Sequence, residues 1–309
     1  MSILVVGSIG FDFIETPFGN SGKIIGGAGT YICLSASFFS NKISVVSKVG
    51  KDFPTSYMQP FIARKINTRG IQVDQNEETF FWSGKYNSDL NTRITKHTQL
   101  NVLKNFIPEI PPHILKPEFL VLGNMSPQIQ KMVLENLNSK PKLVLMDTMN
   151  YWMSQELEQL KLVLKKVDII SIKDEEAREL SGEYSLIKSA SKIRKMGPKF
   201  VIIRKGDHGT LLFYNKFIFF APSLPLVEIY DPTGAGDTFN GGFIGYLSKS
   251  GDISFDNMKR AVIFGSALSS FCVEKFGTEQ LQSINQNDLS DRVQQFVDMV
   301  QFNYEIEDL

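Results

Sequence analysis

Residues 229–247 read Ile-Tyr-Asp-Pro-Thr-Gly-Ala-Gly-Asp-Thr-Phe-Asn-Gly-Gly-Phe-Ile-Gly-Tyr-Leu and hold the densest chemistry in the chain. Asp231, Pro232 and Thr233 form a turn sequence. Gly234, Ala235 and Gly236 carry little or no side chain, so their backbone amides can approach a ligand closely. The apolar, small-residue run that follows predicts a helix over 235–247. A helix N-terminus leaves N–H donors unused and presents the positive end of the dipole, so this stretch is built for an anion. Asp237 falls in the first turn of that helix. An isolated carboxylate there reads as a structural cap. Beside an anion loop it repels phosphate unless it serves the reaction, and its useful role is to take the proton of an attacking hydroxyl. The amides then hold charge on a transferred phosphoryl group. The spacing is not that of a Walker A loop, and residues 19–23 (Gly-Asn-Ser-Gly-Lys) miss that spacing too.

The elements that must position this loop are short apolar runs alternating with helical segments. Runs at 3–6, 44–49, 119–122, 143–146, 169–172 and 200–203 predict buried parallel strands. Helices are predicted over 29–39, 127–136, 174–180 and 185–195, and after the loop over 235–247, 257–271 and 288–302. The alternation predicts an α/β fold, a doubly wound and mostly parallel sheet with helices on both faces. Residues 79–102 break the rhythm: they are rich in Thr, aromatic and polar residues with partial alternation, which predicts antiparallel strands with one face exposed. Residues 11–14 extend that small sheet, which would sit over the main domain as a lid. The prolines of 105–117 predict a loop returning to the main sheet.

The run Asp231-Pro-Thr-Gly-Ala-Gly-Asp-Thr-Phe-Asn-Gly-Gly242 resembles the C-terminal signature of the ribokinase-like (PfkB) carbohydrate kinase family, with Pro232 where that family commonly has Thr. The resemblance extends along nearly the whole chain. Asp12 after Gly7-Ser-Ile-Gly10 fits the family's substrate-binding Asp, Gly26-Gly27-Ala-Gly29 its di-glycine motif, and Arg204-Lys205-Gly206-Asp-His-Gly209 its nucleotide-side Lys-Gly-x-x-Gly strand end. It implies one kinase domain over 1–309 with a β lid from about 11–25 and 79–104. It further implies Asp237 as base, Gly234 to Gly236 as anion hole, and ATP with Mg2+ as donor. Asp231 and Thr233 would offer carbonyls to a monovalent cation such as K+ in members that have one, with Gly277-Thr278 completing that site. Two departures stand out. The family commonly has Asn-x-x-Glu near magnesium; here Lys173-Asp-Glu-Glu176 keeps Glu176 for magnesium through water and puts Lys173 where it could touch phosphate. Tyr31 replaces a sugar-contacting Asn, and its ring either stacks on a ring-shaped substrate or fills the core.

Further pocket candidates come from position. Asn87, Asp89, Asn91 and Arg93 lie in the lid stretch, where Asn91 and Arg93 share strand parity with Asp89 and point at a ligand or at water. Asn124, Asp147 and Asn150 each follow a buried strand, and ligands of doubly wound sheets bind at those carboxyl ends. Trp82 and Trp152 carry no specific signal.

Composition narrows the classes. The 309 residues are 42% hydrophobic, and 33 Lys plus Arg balance 33 Asp plus Glu, so neither a nucleic acid nor a membrane partner is expected. Two cysteines in apolar runs and three scattered histidines exclude a zinc or disulfide framework. The opening Met-Ser-Ile-Leu-Val-Val-Gly reads as a buried strand rather than a signal peptide, so a cytoplasmic protein is expected. An exposed lid edge leaves room for a homodimer through the lid. The leading reading is an ATP-dependent kinase acting on a sugar-like hydroxyl, or on the ribose of an adenosine-like nucleoside. A non-catalytic ligand-binding relative is the second. A nicotinamide-dependent oxidoreductase is the third, and residues 7–10 lack its Gly-x-Gly-x-x-Gly.

Overall fold

A computed structural model describes residues 1–301. The predicted helix over 288–302 therefore ends on Phe302, outside the described residues. In chain order the strands are β1 (Ile3–Val6), β2 (Gly10–Thr16), β3 (Gly19–Gly26), β4 (Ile43–Val49), β5 (Asn67–Val73), β6 (Phe81–Tyr86), β7 (Arg93–Gln99), β8 (Phe119–Leu122), β9 (Leu143–Asp147), β10 (Ile169–Lys173), β11 (Phe200–Arg204), β12 (Thr210–Tyr214) and β13 (Phe217–Ala221). The helices are α1 (Ala28–Ala36), α2 (Gln59–Ala63), α3 (Pro127–Asn136), α4 (Asn150–Gln155), α5 (Leu157–Leu164), α6 (Asp174–Ser181), α7 (Leu186–Arg194), α8 (Ala235–Ser250), α9 (Phe255–Cys272), α10 (Glu279–Ser283) and α11 (Gln286–Val300).

Nine strands form one sheet in the order β5-β4-β1-β8-β9-β10-β11-β12-β13. Neighbours from β5 to β11 run parallel, and β12 and β13 close the edge antiparallel. The reason lies in strands such as β1, whose Ile-Leu-Val-Val is buried on both faces. Ile3 and Val5 pack with Ile32, Phe243 and Leu247 of α1 and α8. Leu4 and Val6 pack with Ile129, Val133 and Leu160 of α3 and α5. Each such side chain taken from water contributes roughly 1.5–3 kcal/mol, which only a strand covered on both sides collects at every position. β1 lies between β4 and β8, so the chain reverses its direction of travel across the sheet there. The crevice beyond the carboxyl ends of β1 and β8 is the place such a sheet offers a ligand.

β3, β2, β6 and β7 make a separate four-stranded sheet. β6 and β7 are antiparallel, as their composition predicts, whereas β2 and β6 run parallel. The reason is topological: β2 enters this sheet from β1 and β6 from the far side of the main sheet, and the alternation of residues carries no information on direction. β7 is exposed along nearly its whole length. Among the described residues no helix is long and apolar enough to cross a membrane.

Candidate active site

The loop before α8 is held from below. Asp231 is fully buried, its Oδ1 accepting the Thr233 N–H at 2.8 Å and its Oδ2 the Gly277 N–H at 2.9 Å. Burial pushes its pKa up to about 6 against the pull of those amides. Its carboxylate is therefore a brace for the turn. The chain then passes through Gly234 at φ 77°, left-handed backbone open to glycine, and any Cβ there would overlap the Tyr31 ring. Tyr31 is 1% exposed. It forms the wall against the loop, so its ring both fills the core and borders the cavity described below. From Gly234 the helix opens, and among the described residues the N–H groups of Gly236 and Asp237 donate to no protein acceptor.

Asp237 stands in that first turn with a buried Oδ1 that has no hydrogen-bond partner among the described residues. Burial, then the charge of Asp147, pushes its pKa up to about 7, against the pull of Arg204, Arg93 and Lys173. A carboxylate with that affinity and an unused lone pair is equipped to take a proton near neutrality. A second carboxylate faces the same space. Asp12, in β2, is 4% exposed and lies where a Cβ on Gly26 would be. Burial and the neighbouring Asp231 raise it to about 7. Gly27 opens α1 at φ 88°, and a Cβ there would come within 2.5 Å of the Ser8 carbonyl oxygen.

These groups line one cavity of about 630 Å3. Asp12, Gly27, Tyr31, Arg93, Asn124, Thr233, Gly234 and Asp237 face it, together with Trp82, Tyr151 and Trp152. The Asn124 side chain is fixed: its Oδ1 accepts the Trp152 indole N–H at 3.0 Å, and its Nδ2 lies 3.1 Å from the Met149 sulfur. Arg93 packs over the Trp82 ring at 5.4 Å. The smaller sheet is tied to the loop by Thr233 Oγ1, which donates to the Tyr86 hydroxyl at 3.2 Å.

The pfkB family carbohydrate kinase model matches residues 2–284. The chain belongs to the pfkB family of carbohydrate kinases. It is 27% identical over 254 residues to the cytidine kinase of Thermococcus kodakarensis, covering 81% of this chain and 89% of that protein. It is 23% identical over 290 residues to the ribokinase of Lactococcus lactis, covering 90% and 92%. Among solved structures, Arabidopsis thaliana ribokinase complexed with ribose and ATP superposes with a TM-score of 0.75 at 18% identity, covering 94% of this chain and 98% of that one.

Within this pfkB protein the candidates Gly26, Asn87, Asp89, Asn91 and Asp147 do not line the cavity. Asn91 does not lie on strand β7, which begins at Arg93. Asp89 Oδ1 accepts the Asn91 and Thr92 N–H groups in a turn, and Asn91 Nδ2 donates to Asp207 at 3.1 Å beside Gly206. The strand parity that aims Asn91 at a ligand is broken by that turn. Asp147, at the end of β9, is also not in the cavity wall: Arg204, Asn240 of α8 and the Thr148 N–H occupy its oxygens. Burial raises its pKa while Arg204 opposes. On the other side of the loop, Lys173 ends β10, exposed, in register with Arg204 on β11. Glu176 is buried, with burial and then Asp147 raising its pKa. Its Oε2 accepts the Lys173 N–H at 2.7 Å. Lys205, Gly206 and Gly209 form the turn between β11 and β12, closed by the Lys205 N–H donating to the Gly209 carbonyl at 2.8 Å. The Thr233 carbonyl accepts the Cys272 thiol at 3.6 Å. Among the described residues no group of three or more His, Cys, Asp or Glu could hold a metal ion.

Arg204 and Asn240 stand inside the sequence motifs without a role of their own, and Tyr86 and the two tryptophans carry no sequence signal. A charged Arg204 closing the apolar run Phe-Val-Ile-Ile is a signal in itself. Tyr86, Trp82 and Trp152 reach the site only through tertiary contacts, so no local pattern marks them.

Proposed function

We propose that the protein transfers the γ-phosphoryl group of ATP, with Mg2+, to a ribose hydroxyl of a nucleoside. The observation that carries this reading is the cavity itself: two carboxylates of raised pKa and the anion loop share it with Trp82, Tyr151 and Trp152. Its volume of about 630 Å3 exceeds what a single pentose fills, and the indole and phenol walls suit a flat base.

Asp12 accepts hydrogen bonds from vicinal hydroxyls and orients the ribose. Asp237 accepts the proton of the attacking hydroxyl as its oxygen bonds to phosphorus and the bridging oxygen leaves with ADP. The amides at the start of α8, with those of Gly236 and Asp237 unspent within the described residues, carry charge developing on the equatorial oxygens. Lys205, Gly206 and Gly209 hold the nucleotide side, and Lys173 meets phosphate. Glu176 would hold magnesium through water, and the ion would supply positive charge to offset that of the phosphates. The four-stranded sheet is the lid, and the bond from Thr233 to Tyr86 couples it to the loop.

A coupled ADP-release screen over nucleosides and free sugars, with magnesium and with or without potassium, tests the reading. Turnover with nucleosides above that with free ribose is expected. No ADP release with any nucleoside would remove the assignment of substrate class, and none with any alcohol would remove the kinase reaction.

A further inference from the structure

The geometry points to Arg204 as a catalytic cation that contacts the transferred phosphoryl group, with Asp147 positioning it. The inference rests on the phosphotransfer reading and adds to it a residue outside the glycine loop.

Arg204 is the last residue of β11, and only 13% of its side chain is exposed. One nitrogen does all its work for the fold. Nη2 donates to Asp147 Oδ2 at 2.9 Å, to Asp147 Oδ1 at 3.1 Å and to the Ser171 carbonyl at 3.2 Å. The rest of the guanidinium is unspent. Nε is buried with no hydrogen-bond partner, and Nη1 donates to no acceptor among the described residues. Nη1 sits where a Cβ on Gly236 would have to be, so the free edge of the fork lies against the anion loop. Gly236 is glycine in this chain because a guanidinium occupies the space of its side chain.

A counter-ion for a buried carboxylate needs none of this. Asp147 already accepts from Asn240 Nδ2 at 2.8 Å and from the Thr148 N–H at 2.7 Å, so it is well satisfied and has no free oxygen to offer a substrate. Its arrangement serves to clamp one end of Arg204. Leaving a buried cationic N–H without an acceptor costs free energy, and such a donor is tolerated where a ligand completes it. The ligand must be anionic and offer several oxygens to a planar fork, which describes a phosphoryl group. Lys173 and Arg204 are also neighbours in register at the ends of β10 and β11. Like charges side by side are unfavourable unless an anion lies between them.

The test uses the full chain with Arg204→Met, Arg204→Lys and the double variant Arg204→Met/Asp147→Asn. Two quantities are read: kcat with ATP and the best acceptor, and affinity for inorganic tripolyphosphate without metal or acceptor. Arg204→Met is expected to lower kcat about 10²–10³-fold, the loss typical of one transition-state donor, with the acceptor KM little changed. It should also weaken tripolyphosphate about tenfold or more. Arg204→Lys keeps the charge and loses the fork, so it should recover tripolyphosphate binding more than kcat. If Arg204 is only a counter-ion, the neutral double variant will restore kcat to near wild type, and that result overturns the inference. So does an Arg204→Lys variant with full kcat, which decides the matter even if the Met variant does not fold. Asp237→Asn separates this from the underlying reading: it should lose turnover and keep tripolyphosphate. A wild-type protein that releases no ADP with any alcohol takes down the phosphotransfer reading itself, whereas an active wild type with indifferent Arg204 variants takes down Arg204 alone.

Discussion

At the scale of single residues, the two raised carboxylates decide the chemistry. Asp237 is useful as a base only when ionised, and burial sets its pKa at about 7. Turnover should therefore rise with pH through neutrality and fall about tenfold for each unit well below 7, as the base form is titrated away. Asp12 also titrates near 7, so the acid limb of kcat/KM should be steeper than that of one group. Asp237→Asn should lower kcat by about 10²–10⁴-fold while acceptor affinity, measured by calorimetry, stays close to wild type. A variant with more than a tenth of wild-type kcat would mean that the hydroxyl proton leaves by another route.

At the scale of elements, α8 is terminated at both ends by left-handed glycines that do different work. Gly234 enters the helix at φ 77° under the Tyr31 ring, and Gly251 leaves it at φ 73° beside the flexible Met1 side chain. Alanine at either position pays backbone strain of roughly 1–2 kcal/mol. Only at Gly234 does the new methyl also strike a buried ring that cannot move, inside the anion loop. Gly251→Ala should lower Tm by a few degrees and leave kcat unchanged, whereas Gly234→Ala should lower Tm further and abolish turnover. Thermal scans and steady-state rates on the pair check this. The difference also shows what a sequence reveals. Helix start, glycine loop and the doubly buried strands β1, β4, β8, β9, β10 and β11 were legible, because burial on both faces writes a continuous apolar run. The β12–β13 hairpin was not legible, nor was the parallel pairing of β2 with β6, because strand direction is set by connections and not by side-chain alternation. Asn91 was misplaced for a related reason: one Asx turn at Asp89 outweighs the parity of the residues around it. Asp147 was legible by position but its partners were not, since Arg204 and Asn240 come from β11 and α8, 57 and 93 residues away.

At the scale of the whole molecule, the site should be a stability liability that pH exposes. Asp12, Asp231 and Asp237 have folded pKa values of about 7, 6 and 7, raised chiefly by burial, against an ordinary 3.8. Between pH 4 and 7 the folded protein therefore holds protons that the unfolded chain has released. Stability is present in full below pH 4 for these groups and is lost as pH rises through 6 and 7. A paired surface carboxylate behaves in the opposite sense. The Lys48 hydrogen bond, with two backbone amides, lowers Asp74 to about 2, so its contribution disappears only as pH falls below about 4. The two windows do not overlap, and the range from 5 to 8 belongs to the site. Tm of the ligand-free protein should decline from pH 5 to pH 8. Asp12→Asn, which cannot ionise and keeps the shape that rests on Gly26, should be more stable than wild type at pH 8, nearly equal to it at pH 5, and poor in catalysis. Thermal unfolding across that range in buffers of matched ionic strength decides it. A wild-type Tm that climbs from pH 5 to 8, or an Asp12→Asn variant with no advantage at pH 8, would mean that the three carboxylates are ionised at little cost and that water or cations reach them in the empty site.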